Sequence, residues 1–159
     1  MTDDELREHV RRAVALSLEH VERGGIPFSG LVVHPRQGVI GEGVNRVAAN
    51  HDPLAHAEVV AIQDACAKLR VASLHGCTLI ASGEPCALCY MAALYSGITT
   101  IVYAVDRHGA AAAGFDYSGS YSIFALPPER WPMDVRAMPV ENGDEPFERW
   151  LANNTYSRR

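Results

Sequence analysis

Residues 77–105 read CTLIASGEPCALCYMAALYSGITTIVYAV, and the architecture of the chain follows from this stretch. Cys77 to Ser82 is a short apolar run of strand type, and Gly83-Glu84-Pro85 interrupts it. Proline just inside a helix start is favoured because its missing N–H would have had no partner there. A helix is expected over Ala87–Tyr95, stopping at Gly97, and Ile98 to Val105 is again a strand. Upstream, Val59, Ile62, Cys66 and Leu69 share one face of a helix from about Ala55 to Leu69, after a polar break at Asn50 to Pro53. Earlier still, Phe28–His34 and Val39–Asn45 are two strands joined by Pro35-Arg36-Gln37-Gly38, an antiparallel hairpin. Leu6, Val10, Ala13, Val14, Leu18 and Val21 recur at helical spacing from Thr2 to Arg23, and Gly24-Gly25 closes that helix. Downstream come an alanine-rich helix at Arg107–Ala113, an irregular aromatic segment at Gly114–Trp131, a last strand at Val135–Val140 and a final helix from Asp144. Helices alternating with strands after a hairpin predict an α/β fold: a three-layer α/β/α sandwich around a mixed five-stranded sheet, in one domain over residues 1–159.

Composition narrows the function. The chain has 159 residues, 48% hydrophobic and 21% charged, within the range of ordinary globular domains. No apolar run approaches the roughly 18 residues of a membrane span, and the acidic, polar start Met1–Glu8 does not read as a secretory signal. A cytoplasmic protein with reduced thiols is expected, which leaves Cys66, Cys77, Cys86 and Cys89 available for metal. The net charge is −5 and the only lysine is Lys68, which disfavours a polymeric nucleic acid as partner, since that requires clustered cations.

Two short pieces carry chemistry: His56-Ala57-Glu58 and Pro85-Cys86-Ala87-Leu88-Cys89. Each sits at an expected helix N-terminus after a loop or strand end, where open α/β sheets place ligands. Two thiolates at C-x-x-C spacing and one imidazole make a three-ligand set, and catalytic zinc uses three protein ligands with the fourth place left to water. Helix N-termini also favour the thiolate form. Glu58 leaves the helix two residues after His56, in a different direction, so it can face the open position without ligating. A carboxylate there can take a proton from an activated water and pass protons to a ring nitrogen and to departing ammonia. C-x-x-C alone could be a redox motif or half of a structural zinc site, and H-x-E alone an ordinary helix start. Together, with the proline in place, they match the zinc deaminase signature H-x-E and P-C-x-x-C. Cys66 and Cys77 read as small buried hydrophobes.

On these motifs the chain resembles the cytidine deaminase superfamily and, within it, the guanine deaminase-like nucleobase deaminases. The resemblance spans nearly the whole chain. It includes Gly25-Ile26-Pro27-Phe28, Asn45, Asp52-Pro53, Ala113-Gly114-Phe115-Asp116 and Phe147-Glu148-Arg149-Trp150. It implies a zinc-dependent hydrolase acting on a small free base. His56, Cys86 and Cys89 would then be ligands and Glu58 the acid–base group. Asn45 would bond the substrate ring, and Phe28 would line the base pocket. It further implies a homodimer with exchanged C-terminal segments, in which Tyr156 closes the partner's pocket. The alternatives are a strand-end turn cap for Asn45, plain core packing for Phe28 and a tail residue for Tyr156. Glu141, just after the expected last strand, is a candidate second proton carrier, with a solvated surface charge as the alternative.

Tyr117 departs from the resembled pattern. Guanine deaminases of this type follow Ala-Gly-Phe-Asp with a second aspartate that reads guanine's amino and imino groups, and here a phenol stands there. A carboxylate accepts two hydrogen bonds, whereas a phenol offers one of each kind and is bulkier. Cytosine, 5-azacytosine or a triazine such as ammeline is therefore the expected substrate, with guanine the alternative. A transfer-RNA adenosine deaminase or an inactive zinc-binding module ranks below both.

Overall fold

The computed structural model describes residues 1–155, with the side chains of the last two left out. Two compact units divide the chain, residues 1–125 and residues 126–159.

The first unit opens with α1 (Asp3–Glu22). Thr2 Oγ1 accepts from Glu5 N at 3.3 Å while the Glu5 carboxylate accepts from Thr2 N at 2.7 Å, a reciprocal cap that satisfies two otherwise orphaned donors. Strands β1 (Ser29–His34) and β2 (Gly38–Val44) pair antiparallel as the hairpin expected. A four-residue helix α2 (Val47–Asn50) follows, ending where the expected polar break begins, and then α3 (Ala57–Leu69). Strand β3 (Thr78–Gly83), helix α4 (Ala87–Tyr95) and strand β4 (Thr100–Val105) form the strand–helix–strand unit. Two short helices complete this unit, α5 (Arg107–Ala112) and α6 (Gly119–Ile123). The sheet order is β2-β1-β3-β4, with β1 and β3 antiparallel and β3 and β4 parallel, so the sheet is mixed.

Alternate strand residues sort into two apolar clusters, as a period of two requires. Val32 and Leu79 pack with Ala61 and Ala65 of α3 and Ala93 of α4. Leu31, Val33 and Ile80 pack with Ala13 of α1.

Among its described residues the second unit holds a 3-10 turn (Pro128–Arg130) and α7 (Glu145–Thr155). Among the described residues the sheet has four strands, which corrects the expected five: residues 135–140 form no strand. Val135, Met138 and Val140 are exposed, so no buried face selects a register there. Pro139 lacks the N–H that a ladder requires. Glu141 accordingly does not follow a strand; it is exposed, in a turn.

Candidate active site

The helix starts of α3 and α4 build the site. His56 is the N-cap residue of α3 and Cys86 that of α4, both extended, and neither side chain caps its own helix. The imidazole and the thiol are thereby free for another partner, and Ser120 Oγ of α6 accepts from Ala87 N at 3.3 Å in place of a cap on α4. Cys89 lies one turn into α4 and is fully buried.

The three donors converge. Cys86 Sγ lies 3.5 Å from His56 Nδ1, Cys89 Sγ 3.4 Å from it, and the two sulfurs are 3.5 Å apart. A tetrahedral zinc with ordinary Zn–S and Zn–N bonds separates its ligand atoms by about 3.5–3.8 Å. The donor set therefore fits zinc in both chemistry and spacing, and His56, Cys86 and Cys89 form a group positioned to bind a metal. Cys86 is pulled well below the usual thiol range, first by the hydrogen bond with Cys89 and then by His56, which outweigh its burial. Cys66 and Cys77 stand apart from this group; burial pushes both thiols up, as expected of inert core cysteines.

Glu58, in the first turn of α3, is 5% exposed, and burial pushes its carboxyl up to about 7 against the lowering effect of Cys89. Its position depends on glycine in the sheet. A Cβ on Gly30 would lie 3.0 Å from Glu58 Cα, and one on Gly43 would lie 2.3 Å from Ala57 O, so α3 approaches β1 and β2 more closely than side chains would permit.

A cavity of about 280 Å³ opens over these groups. His56, Glu58, Cys86 and Glu84 line its polar side, and Ile26, Phe28, Val47, Asn45 and Tyr117 line the rest. Asn45 does two things at once: its Oδ1 accepts from Val47 N at 3.2 Å, closing a turn, which leaves its NH₂ as a donor. Phe28 likewise both lines the cavity and packs edge-on against Phe115, with centroids 5.2 Å apart. Tyr117 stands in the wall, and its hydroxyl donates to Glu84 O at 2.6 Å. Burial pushes that phenol up to about 12.

Residues 3–105 match the family model for the cytidine and deoxycytidylate deaminase zinc-binding region, and they contain the complete His56, Cys86, Cys89 and Glu58 set. The chain belongs to the cytidine and deoxycytidylate deaminase family. It is a zinc-dependent hydrolytic deaminase with an α/β, cytidine deaminase-like fold. It is 37% identical over 142 residues to a guanine deaminase of Bacillus subtilis, covering 89% of this chain and 90% of that one. A solved structure of guanine deaminase from Bacillus subtilis superposes with a TM-score of 0.85 at 35% identity, covering 96% of this deaminase and 95% of that chain. A tRNA-specific adenosine deaminase of Aquifex aeolicus is 35% identical over 97 residues, covering 60% of this chain and 64% of that one.

Of the site residues read in the sequence of this deaminase, the cavity brings together His56, Glu58, Cys86, Asn45, Phe28 and Tyr117, with Cys89 beside His56. Tyr156 lies outside the described residues, and Glu141 belongs to the second unit. The sequence reading passed over Glu84, Arg107, Ser120 and Tyr121. Glu84 adjoins the Pro-Cys motif, which was one available signal; Arg107 opens the alanine-rich helix, and Ser120 and Tyr121 come from the irregular segment that follows it.

Proposed function

We propose that this deaminase removes the exocyclic amino group of a free nucleobase, guanine foremost, by hydrolysis. One observation carries the proposal: one cavity brings together two of the three metal ligands, His56 and Cys86, with a buried carboxylate, a fixed amide donor and apolar walls. A flat uncharged heterocycle suits such walls. Among the described residues no Lys or Arg lines the cavity, so a phosphate would find no charged partner among them, which favours a base over a nucleotide. The relatives named as guanine deaminases support the purine.

His56, Cys86 and Cys89 would hold zinc, which when bound acts as a Lewis acid that makes water ionisable near neutrality. Glu58 takes one proton from the attacking water and passes it to the ring nitrogen, then takes the second from the new hydroxyl group and passes it to the amino group, which leaves as ammonia. Asn45 Nδ2 donates to an acceptor on the ring edge, and Phe28 and Tyr117 bound the ring. An ammonia-release screen over guanine, adenine, cytosine, their nucleosides, 5-azacytosine and ammeline tests this, with guanine expected to show the highest kcat/KM. A second proposal, that cytosine, 5-azacytosine or ammeline is preferred, draws on the Tyr117 ring in the wall, and a higher kcat/KM for those rings than for guanine would establish it. Activity confined to transfer RNA would overturn both. The net charge of −5 speaks against that outcome, although relatives acting on transfer RNA exist.

Further proposals accompany this one. The two core clusters support helices on both faces of the sheet, a layered sandwich. Residues 1–159 would work as one deaminase domain, in the cytoplasm, as a homodimer whose exchanged C-terminal segments bring Tyr156 to the partner's pocket. Glu141 is kept as a second proton carrier, and Glu141→Gln with unchanged kcat would remove it.

A further inference from the structure

The segment Glu84-Pro85-Cys86 hangs between the end of β3 and the start of α4, and two of its three carbonyls are tied from outside. Tyr117 Oη donates to Glu84 O at 2.6 Å, and Tyr121 Oη donates to Pro85 O at 2.6 Å. The Glu84 carboxylate is buried and faces Arg107, which donates from its backbone N at 2.8 Å, from Nε at 3.0 Å and from Nη2. The same guanidinium lies 3.9 Å from the centroid of the Tyr121 ring, a cation–π contact that ties the two arms of the arrangement together. Glu84 N in turn donates to Val105 O at 2.8 Å, two residues before Arg107.

We infer that Arg107, with the hydroxyls of Tyr117 and Tyr121, positions Cys86: the three form a clamp on the ligand-bearing loop that fixes its sulfur relative to His56 and Glu58. The inference rests on Cys86 being a zinc ligand. Arg107 acts through Glu84 and is a positioning residue. The guanidinium fork matches a carboxylate at two points, which a lysine ammonium does not. Partners one step behind a metal ligand orient it, and their loss typically costs 10–100-fold in metal affinity or activity. Tyr117 on this account serves the protein backbone with its proton, so its hydroxyl has no second proton to offer a base.

The test uses the full-length zinc enzyme. Zinc per chain is measured first on the parent protein; a value well below one would remove the ligand assignment itself and is a separate failure. Zinc release to the chromogenic chelator 4-(2-pyridylazo)resorcinol is then timed in folded, zinc-loaded variants. Arg107→Met is expected to release zinc about 10–100-fold faster than the parent and to lose kcat in saturating zinc, with Arg107→Lys in between. Tyr121→Phe keeps the ring beneath the guanidinium and loses only the bond to Pro85 O, so it should speed release by a smaller factor, as should Tyr117→Phe. A fall in thermal stability with zinc release and kcat within twofold of the parent would overturn the inference. If Arg107→Met does not fold, the Tyr117→Phe, Tyr121→Phe double variant decides: unchanged release overturns the clamp, and accelerated release upholds it.

Discussion

Glu58 and Asn45 show how one side chain can be committed by its surroundings before any substrate arrives. Glu58 is buried within the first turn of α3 and has no ligating role in the three-donor set. Glu58→Gln should retain zinc and fold while losing turnover by roughly 10²–10⁴-fold, with the loss in kcat, because an amide cannot carry protons. Zinc analysis and single-turnover kinetics check both halves. Asn45 presents its NH₂ because its oxygen is occupied by Val47 N. Asn45→Asp preserves that turn and replaces the donor with an acceptor, so kcat/KM should fall by roughly tenfold or more with little change in unfolding midpoint. Tyr117→Asp would remove a wall and a backbone tether together, whereas Tyr117→Phe isolates the tether.

At the scale of elements, the site depends on how closely α3 approaches the hairpin. A Cβ at position 43 would meet Ala57 O at 2.3 Å and Ala61 N at 2.5 Å, both backbone atoms that cannot turn aside. Gly43→Ala should therefore displace the helix that carries Glu58 and destabilise the fold by about 1–3 kcal/mol, the usual cost of overpacking. A denaturant midpoint measures the first effect, and kcat at saturating zinc the second. Replacement of Gly38 is a contrast: nothing crowds a Cβ there, and the cost is that of its φ of +72° alone.

For the whole molecule, the chemistry joins metal to stability. His56 comes from the start of α3 and the two cysteines from the start of α4, so an ion held by all three cross-links the two helices. Chelation should abolish activity, lower the unfolding temperature and be reversed by zinc, since a ligand that binds only the folded state stabilises it. Differential scanning fluorimetry with and without chelator reads this directly. Removal of residues 153–159 should raise KM while leaving zinc content near one per chain, if the C-terminal segment completes a pocket in the partner. A fully active monomer by light scattering would count against that arrangement.

Local patterns in the sequence determined the hairpin, the helices α1, α3 and α4, the strand–helix–strand unit and the metal set, because each depends on short-range spacing: apolar period, a proline at a helix start, two residues between thiols. The deaminase motifs were legible for the same reason, since both pieces lie within single turns of helix. Tertiary structure alone decided the rest. Residues 135–140 have the apolar content of a strand but no partner or buried face to make one. Tyr117 could be placed near the base from the resemblance, but the commitment of its proton to Glu84 O depends on a contact 33 positions back along the chain. Nothing in local spacing marks the contacts of Arg107, Ser120 and Tyr121, which arise only when folding brings them against Glu84, Ala87 and Pro85 respectively. Spacing records which groups share a helix turn; which groups hold that turn in place is settled by contacts that sequence proximity does not encode.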